Sequence, residues 1–191
     1  MRAFVLVVVV GVLAGCGGGG TTTVTVTRTV SHTKTVTVQT ETATTTAAAP
    51  CLSSSLAGAF EVVAGSAGAG QIVYRLRLTN QGDSTCFVTG LPVVQLLDGN
   101  DAKLPTNVTP NHPGATTAVR VDLAPGSAAT ADARFSPDVP GGDEQTAGAC
   151  EPKASTLRVT VGSGVVDAPI KPPTPVCERG TLQFDVFTAA P

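Results

Sequence analysis

Residues 71–79 read QIVYRLRLT and are followed at 80–84 by NQGDS, and this stretch decides the fold. Its side chains alternate, so that the large apolar ones fall on one face: Ile72, Tyr74, Leu76 and Leu78. A period of two is typical of a β-strand with one buried face and one face toward solvent. The polar residues that follow are the types that turns require. The stretch therefore predicts a half-buried strand that ends in a tight reversal.

Short apolar or alternating runs recur along the chain, separated by glycine, proline, asparagine and aspartate. They lie at 59–64, 86–88, 93–97, 119–123, 129–135, 157–161, 165–170 and 182–186. The pair Asp98-Gly99 is a typical hairpin turn, and no run has the 3.6-residue period of a helix. About seven or eight short strands in roughly 140 residues predict an all-β fold, an immunoglobulin-like antiparallel β-sandwich.

The amino terminus has the features of an export signal. Met1-Arg2 is positively charged, and residues 3–13 are almost all apolar, a run shorter than the roughly 20 residues of a membrane-spanning helix. The motif Leu13-Ala14-Gly15-Cys16 then resembles the lipobox of bacterial lipoproteins, which implies cleavage before Cys16 and acylation with fatty acids such as palmitate. The alternative is an ordinary secretory signal with an incidental cysteine. We expect a signal peptide at 1–15 and an exported chain, lipid-anchored through Cys16 to the outer face of the cell membrane.

Residues 16–50 form a Gly/Thr-rich stretch without large apolar side chains. Valine and threonine alternate at 23–29 and 35–37, which is the period of a strand. A disordered linker is favoured nonetheless, because these side chains bury too little surface to offset the entropy cost of ordering. Threonine-rich stalks of this kind are sometimes glycosylated. The expected organisation is a signal peptide at 1–15, a tether at 16–50 and a β-sandwich domain at 51–191.

Four cysteines follow the tether: Cys51, Cys86, Cys150 and Cys177. An even number in an exported chain is typical of disulfide bonds. Three pairings are open and the sequence does not choose among them, but Cys51–Cys86 and Cys150–Cys177 are favoured because each pair brackets one or two apolar runs. A metal site or a nucleophilic cysteine is a weaker alternative, since Cys-x-x-Cys spacing is absent and the domain's one histidine is His112.

The first place to look for a binding surface is the proline-rich stretch 105–117, which reads as a long surface loop, because long loops in compact domains are often functional. Its candidate binding residues are Asn107, Asn111 and His112. Clustered oxygens near Asp98 also suggest calcium, but a turn is favoured because the spaced glutamate of a known calcium loop is absent. Among the aromatic residues of the domain, Phe187 is expected to face outward and the others to lie in the core.

Nucleic acid is excluded as a partner by charge. Residues 51–191 contain nine Lys or Arg against thirteen Asp or Glu, without a basic run. Binding to a phosphate backbone is driven by basic side chains that release its counterions, and this domain lacks a cluster of such side chains.

One group of residues carries a family resemblance: Leu78-Thr79-Asn80, Gly82, Cys86, Gly90, Pro92, Val94, Leu96, Asp98, Leu123, Pro125 and Gly126. In this pattern the chain resembles the actinobacterial lipoproteins that carry the domain of unknown function 4232. The resemblance covers most of residues 51–191. It implies an extracytoplasmic β-sandwich in which Cys51 pairs with Cys86, and it implies no activity and no catalytic residues.

These observations favour a non-catalytic binding module of the bacterial cell envelope. An enzyme needs a nucleophile, a base and a group that orients them, or a metal, and His112 has no serine or acidic residue near it in sequence. We expect no cofactor and no metal, a membrane contact through Cys16, and a protein or polymer partner in the envelope. The alternatives are an envelope hydrolase that uses His112 and a structural spacer in the wall.

Overall fold

The structure is a computed structural model, and it describes residues 48–114, 119–139, 150 and 152–191. The chain divides into two units, Met1–Thr46 and Ala47–Pro191, and every described residue belongs to the second. The predicted signal peptide, Cys16 and all but the last three residues of the predicted tether lie outside the described residues.

The described chain is built almost entirely of strands. They are β1 (Ala49–Pro50), β2 (Leu56–Val62), β3 (Ile72–Asn80), β4 (Cys86–Thr89), β5 (Val93–Leu97), β6 (Asn107–Pro110), β7 (Arg120–Leu123), β8 (Ala128–Phe135), β9 (Ala154–Val161), β10 (Gly164–Thr174), β11 (Thr181–Phe184) and β12 (Thr188–Ala189). Two short turns of helix complete the elements: a 3-10 turn at Ser53–Ser55 and a turn at Cys177–Gly180, in which Glu178 and Arg179 have left-handed backbone angles.

The strands form two sheets. The small sheet has the order β1-β4-β7, and the large one has the order β5-β9-β10-β2-β3-β8-β11-β6, with β12 beside β8. Apolar residues of both sheets meet in one core, where Val121 and Leu123 of the small sheet join Leu76 and Leu78 of β3. The predicted all-β sandwich is therefore confirmed. The structure has more strands than the seven or eight predicted, because it includes short strands of two to four residues that are too short to show an alternating pattern.

The pairings are mostly antiparallel, as predicted, with three parallel exceptions. They are β1 with β4, β2 with β10, and β6 with β11. Strand β10 pairs antiparallel with β9 through its first half and then joins β2 at Ile170 and Lys171. The long β10 thus connects the two halves of the large sheet.

Strand β3 lies in the centre of the large sheet, and the prediction for residues 71–79 is confirmed. It pairs with β2 along one edge and with β8 along the other. Tyr74, Leu76 and Leu78 are at most 1% exposed, whereas Arg75 and Arg77 lie on the solvent face. Burial of each large apolar side chain stabilises the fold by about 1.5–3 kcal/mol.

Three segments gain strand structure that the local pattern does not predict. The predicted loop at 105–117 contains β6, which forms because Thr181–Phe184 gives it a parallel partner far along the chain. The strand predicted at 165–170 extends to Thr174 through two prolines, with a shift of register after Pro169. Ala49 and Pro50, placed in the tether, pair with β4. In each case a partner distant in sequence determines a strand that local pattern does not mark.

Two aromatic side chains lie elsewhere than expected. Phe187 was expected outside but is 4% exposed, because its N–H donates to the carbonyl of Gly90 and draws it into the sandwich. Phe87 was expected in the core but is half-buried, and the guanidinium carbon of Arg120 lies 4.1 Å from its ring centroid. This cation–π contact accounts for an aromatic ring at the surface.

Both favoured disulfides are confirmed. Cys51 is bonded to Cys86 and Cys150 to Cys177, with a Cα–Cα distance of 4.8 Å in each pair. The first ties the residue after β1 to the start of β4, and the second ties the left-handed turn to the chain that precedes β9. All four cysteines of the domain are therefore oxidised.

Candidate functional site

A β-bulge opens the surface between β11 and β12. Phe184 pairs with Ala133 of β8, and Thr188 pairs with Thr130, so that three residues, 185–187, lie opposite two residues of β8. Bulges displace the extra residue from the ladder and are frequent beside functional sites. Here Asp185 still donates its N–H to the carbonyl of Asp132, while Phe187 turns inward. The displaced backbone leaves a depression in the sheet.

This depression is a groove of about 390 Å³. We call it the His112 groove, after the histidine at its rim. The groove is lined by polar side chains and by apolar ones. The polar set includes Arg75, His112, Asp132 and Asp185, and the apolar set includes Leu91, Pro110, Phe184 and Val186. Its size is within the range of small-molecule pockets.

One wall of the groove is a small network around Asp185. Its Oδ1 accepts a hydrogen bond from Nδ2 of Asn111 at 3.1 Å, and a 3.2 Å hydrogen bond joins the same oxygen to Nδ1 of His112. The segment after β6 is brought there because the N–H of Asn111 donates to the carbonyl of Phe184. The side chain of His112 is 74% exposed, so the imidazole is accessible from solvent.

Another part of the lining is an ion pair between neighbouring strands. Arg75 of β3 donates from Nε and Nη2 to the two carboxylate oxygens of Asp132 on β8, at 2.6 and 2.7 Å. The two residues are cross-strand partners on the solvent face. These hydrogen bonds, with the charge attraction, raise the pKa of Arg75 above its usual value. The bidentate geometry fixes both side chains at the edge of the groove.

The structure brings together two of the three candidate residues proposed from sequence. His112 lines the groove, and Asn111 is hydrogen-bonded to Asp185 of the lining. Asn107 is in β6, where its Nδ2 donates to Oγ1 of Thr181 at 3.3 Å. Sequence reasoning missed Arg75, Asp132 and Asp185. Each of these residues is a charged residue at a solvent-facing position of a predicted strand, and that much was visible in the sequence. Local pattern does not show which strands are neighbours, so it could not bring the three residues together.

The described residues of the groove provide a histidine–carboxylate pair, a bidentate ion pair and two threonine hydroxyl groups. Among the described residues that line the groove, hydroxyl groups are present on Thr130 and Thr188. Neither hydroxyl is hydrogen-bonded to His112. In the residues that the structure describes, no group of three or more His, Cys, Asp or Glu side chains is arranged to hold a metal ion. The Asp98 carboxylate accepts the N–H groups of Asn100 and Ala102 at 2.8 and 2.9 Å, which is the geometry of a turn.

No helix in the described part of the chain is long and apolar enough to span a membrane.

Comparison with known proteins identifies the family. No curated protein and no solved structure matches the chain. Residues 51–188 match the family described as domain of unknown function (DUF4232). The match includes both disulfides and every residue named above at the groove. The chain belongs to the DUF4232 family.

Proposed function

We propose that the protein is an actinobacterial lipoprotein whose DUF4232 domain is a non-catalytic binding module on the outer face of the cell membrane. The observation that carries the binding role is the His112 groove, in which a bulge presents two polar pairs and apolar walls to solvent. The lipobox-like residues Leu13-Ala14-Gly15-Cys16 support the anchor. A threonine-rich tether would hold the groove clear of the lipid headgroups.

One observation favours a second function. His112 and Asp185 form a histidine–carboxylate pair, the arrangement that orients a general base in hydrolases. The pair lacks a hydrogen-bonded nucleophile among the described residues, which is why binding is preferred. A structural spacer in the wall is the third alternative and needs no groove.

The binding proposal is tested by photo-cross-linking in intact cells. A photoreactive amino acid replaces Pro113, which is exposed beside His112, and in a matched control it replaces Asn100, which is exposed in the turn after β5. We expect a reproducible protein or polymer adduct from position 113 and none from position 100. Equal adducts at both positions, or none at either, would contradict the proposal.

The hydrolase alternative is tested separately with the purified chain on a panel of ester, amide and glycoside substrates. Turnover that His112→Ala abolishes would establish the enzyme and remove the non-catalytic proposal. Turnover that persists in His112→Ala would show that another site is responsible.

A further inference from the structure

The His112 groove has two carboxylates and one guanidinium in its lining. They belong to Asp132, Asp185 and Arg75. Arg77 and Arg134 are on the same face of the sheet, but they do not line the groove. Glu61, opposite Arg75 on β2, faces an adjacent hollow. Among the described residues that line the groove, two carboxylates are therefore present beside one guanidinium.

Asp185 is the carboxylate that Arg75 does not pair with. Both carboxylate oxygens of Asp132 are taken by Arg75, so that pair is neutral. Asp185 instead receives the neutral amide of Asn111 and the imidazole of His112, both on Oδ1. Its Oδ2 accepts no hydrogen bond within the described residues, and its side chain is 37% exposed. An accessible carboxylate with an unused oxygen attracts a cation.

A second, independent observation comes from Thr130. This residue lines the groove and is only 6% exposed. Its carbonyl accepts a hydrogen bond from Oγ1 of Thr188 at 3.4 Å, but its own hydroxyl has no partner in the part of the chain that the structure describes. Buried hydroxyl groups are nearly always hydrogen-bonded, because an unpaired one costs about 1–3 kcal/mol. A hydroxyl both donates and accepts, so an ammonium donor in the groove is one kind of group that can satisfy it.

The remaining walls are apolar. Leu91, Pro110 and Val186 line the groove beside these polar groups, and they provide contact surface for aliphatic carbon. A ligand that fits must combine an alkyl chain with a compact cationic head. An ammonium group has three donors that point in different directions, which suits a carboxylate and a separate hydroxyl. A guanidinium prefers two parallel bonds to one carboxylate.

We propose that the His112 groove binds an alkylammonium group, with the ammonium donating to Asp185 and Thr130 and the alkyl chain against Leu91, Pro110 and Val186. This inference rests on the proposed binding function and names its ligand chemistry. The ammonium can come from a lysine-type side chain of a peptide or from a small free diamine. Both sources present the same head group to the groove.

The test is an NMR titration of the full-length ¹⁵N-labelled chain in detergent micelles. The probes are Nα-acetyl-lysine amide, 1,5-diaminopentane and the uncharged analogue Nα-acetyl-norleucine amide. We expect saturable shifts of the Thr130, Asp185 and Val186 amide signals with the two amines and none with the norleucine compound. Tighter binding of the lysine amide indicates a peptide source, and tighter binding of the diamine indicates a free amine.

Variants locate the site. Asp185→Asn removes the charge and is expected to weaken amine binding about tenfold or more, and Thr130→Val keeps the shape without the hydroxyl and is expected to weaken it about three- to tenfold. The control Asp122→Asn removes an exposed carboxylate that pairs with Arg120 outside the groove, and amine binding should not change. Thr130→Val keeps the test valid if Asp185→Asn does not fold.

Equal binding of the norleucine compound, or unchanged amine affinity in both groove variants, would overturn the inference. An adduct at position 113 in cells without amine binding would also overturn it, while the binding function would stand. A third outcome is amine binding that is weaker in the groove variants, together with no cross-linked adduct in cells. That outcome would support the ammonium site and contradict the envelope-partner role.

Discussion

The side-chain amide of Asn80 donates a 2.9 Å hydrogen bond to the carbonyl of Leu123, which lies 43 residues further along the chain. The same amide nitrogen donates to the carbonyl of Ser84, and Oδ1 accepts the N–H of Gly82, each at 2.9 Å. Asn80 is fully buried. One side chain therefore holds the end of β3, the turn after it and strand β7 of the other sheet, which gives a physical reason for the Asn-x-Gly pattern.

Asn80→Ala should be strongly destabilising. The substitution removes three hydrogen bonds, one of them to the buried carbonyl of Leu123 and two in part-buried places. We expect a loss of about 2–4 kcal/mol in the free energy of unfolding. The exposed Asn100→Ala is the control and should change stability by less than about 0.5 kcal/mol. Urea unfolding measures both. A loss below about 1 kcal/mol for Asn80→Ala would contradict the role of Asn80.

Gly180 should be intolerant of any side chain. Its φ is +70°, and a Cβ there would collide with the backbone carbonyl of Pro105, just before β6. Gly126 has a similar φ of +80° but open space around it. Gly126→Ala should therefore cost about 1–2 kcal/mol of left-handed strain, and Gly180→Ala about 3 kcal/mol or more, since overpacking is added. Thermal unfolding measures both variants. Equal losses of stability for Gly180→Ala and Gly126→Ala would show that the backbone at Pro105 moves aside for the added Cβ without a cost in stability.

The two disulfides should contribute nearly equally. Their sequence separations are 35 and 27 residues, and in the chain-entropy model closing such loops stabilises by about 3.5–4 kcal/mol each. We expect the double variants Cys51→Ala/Cys86→Ala and Cys150→Ala/Cys177→Ala to lose similar amounts in urea unfolding. Proteolysis without reductant, followed by mass spectrometry, should recover the two bonded peptide pairs. A cross-pair such as Cys51 with Cys150 would refute this connectivity.

Tyr74 should make stability sensitive to alkaline pH. Its hydroxyl donates to the carbonyl of Pro172 at 3.0 Å, and burial raises the pKa of Tyr74 above 10.0. The unfolded chain therefore loses this proton first, so the stabilisation is complete below about pH 10 and is lost as the pH rises through the raised pKa. Tyr74→Phe should cost about 1–2 kcal/mol at pH 7.

The measurement for Tyr74 is the difference in unfolding free energy between parent and Tyr74→Phe from pH 7 to 11. That difference should be constant up to about pH 9 and should shrink above pH 10, because only the parent loses this contribution. A difference that grows at alkaline pH would show that folding lowers the pKa of Tyr74, contrary to this prediction.

Cys16→Ser tests the anchor. We expect the variant to fold and form both disulfides but to leave the membrane fraction, because the thiol that receives lipid is gone. Thr22→Ser, a conservative change in the tether, is the control and should stay in the membrane fraction. Fractionation and mass measurement follow both. A Cys16→Ser chain that remains in the membrane with a lipid mass would contradict the lipobox interpretation.

Local patterns predicted much of the sandwich. The alternation at 71–79 marked the inner and outer faces of β3, because side-chain direction in a strand depends only on position along it. The even cysteine count favoured two disulfides, and both pairings are present. The motif from Asn80 to Asp98 indicated the family that residues 51–188 match. The strand faces and the family motif are properties of residues close together in the chain, and the cysteine count is a property of composition.

Only the tertiary structure decided the groove. Arg75 and Asp132 are 57 residues apart, and His112 and Asp185 are 73 apart, so neither pair follows from spacing. The parallel pairing of β6 with β11 and the bulge at 185–187 depend on which strands bury their apolar faces together. The sequence alone therefore determined most of the strands and their two faces. Strand order and register depend on how the whole chain buries its apolar surface, and they placed the charged residues side by side.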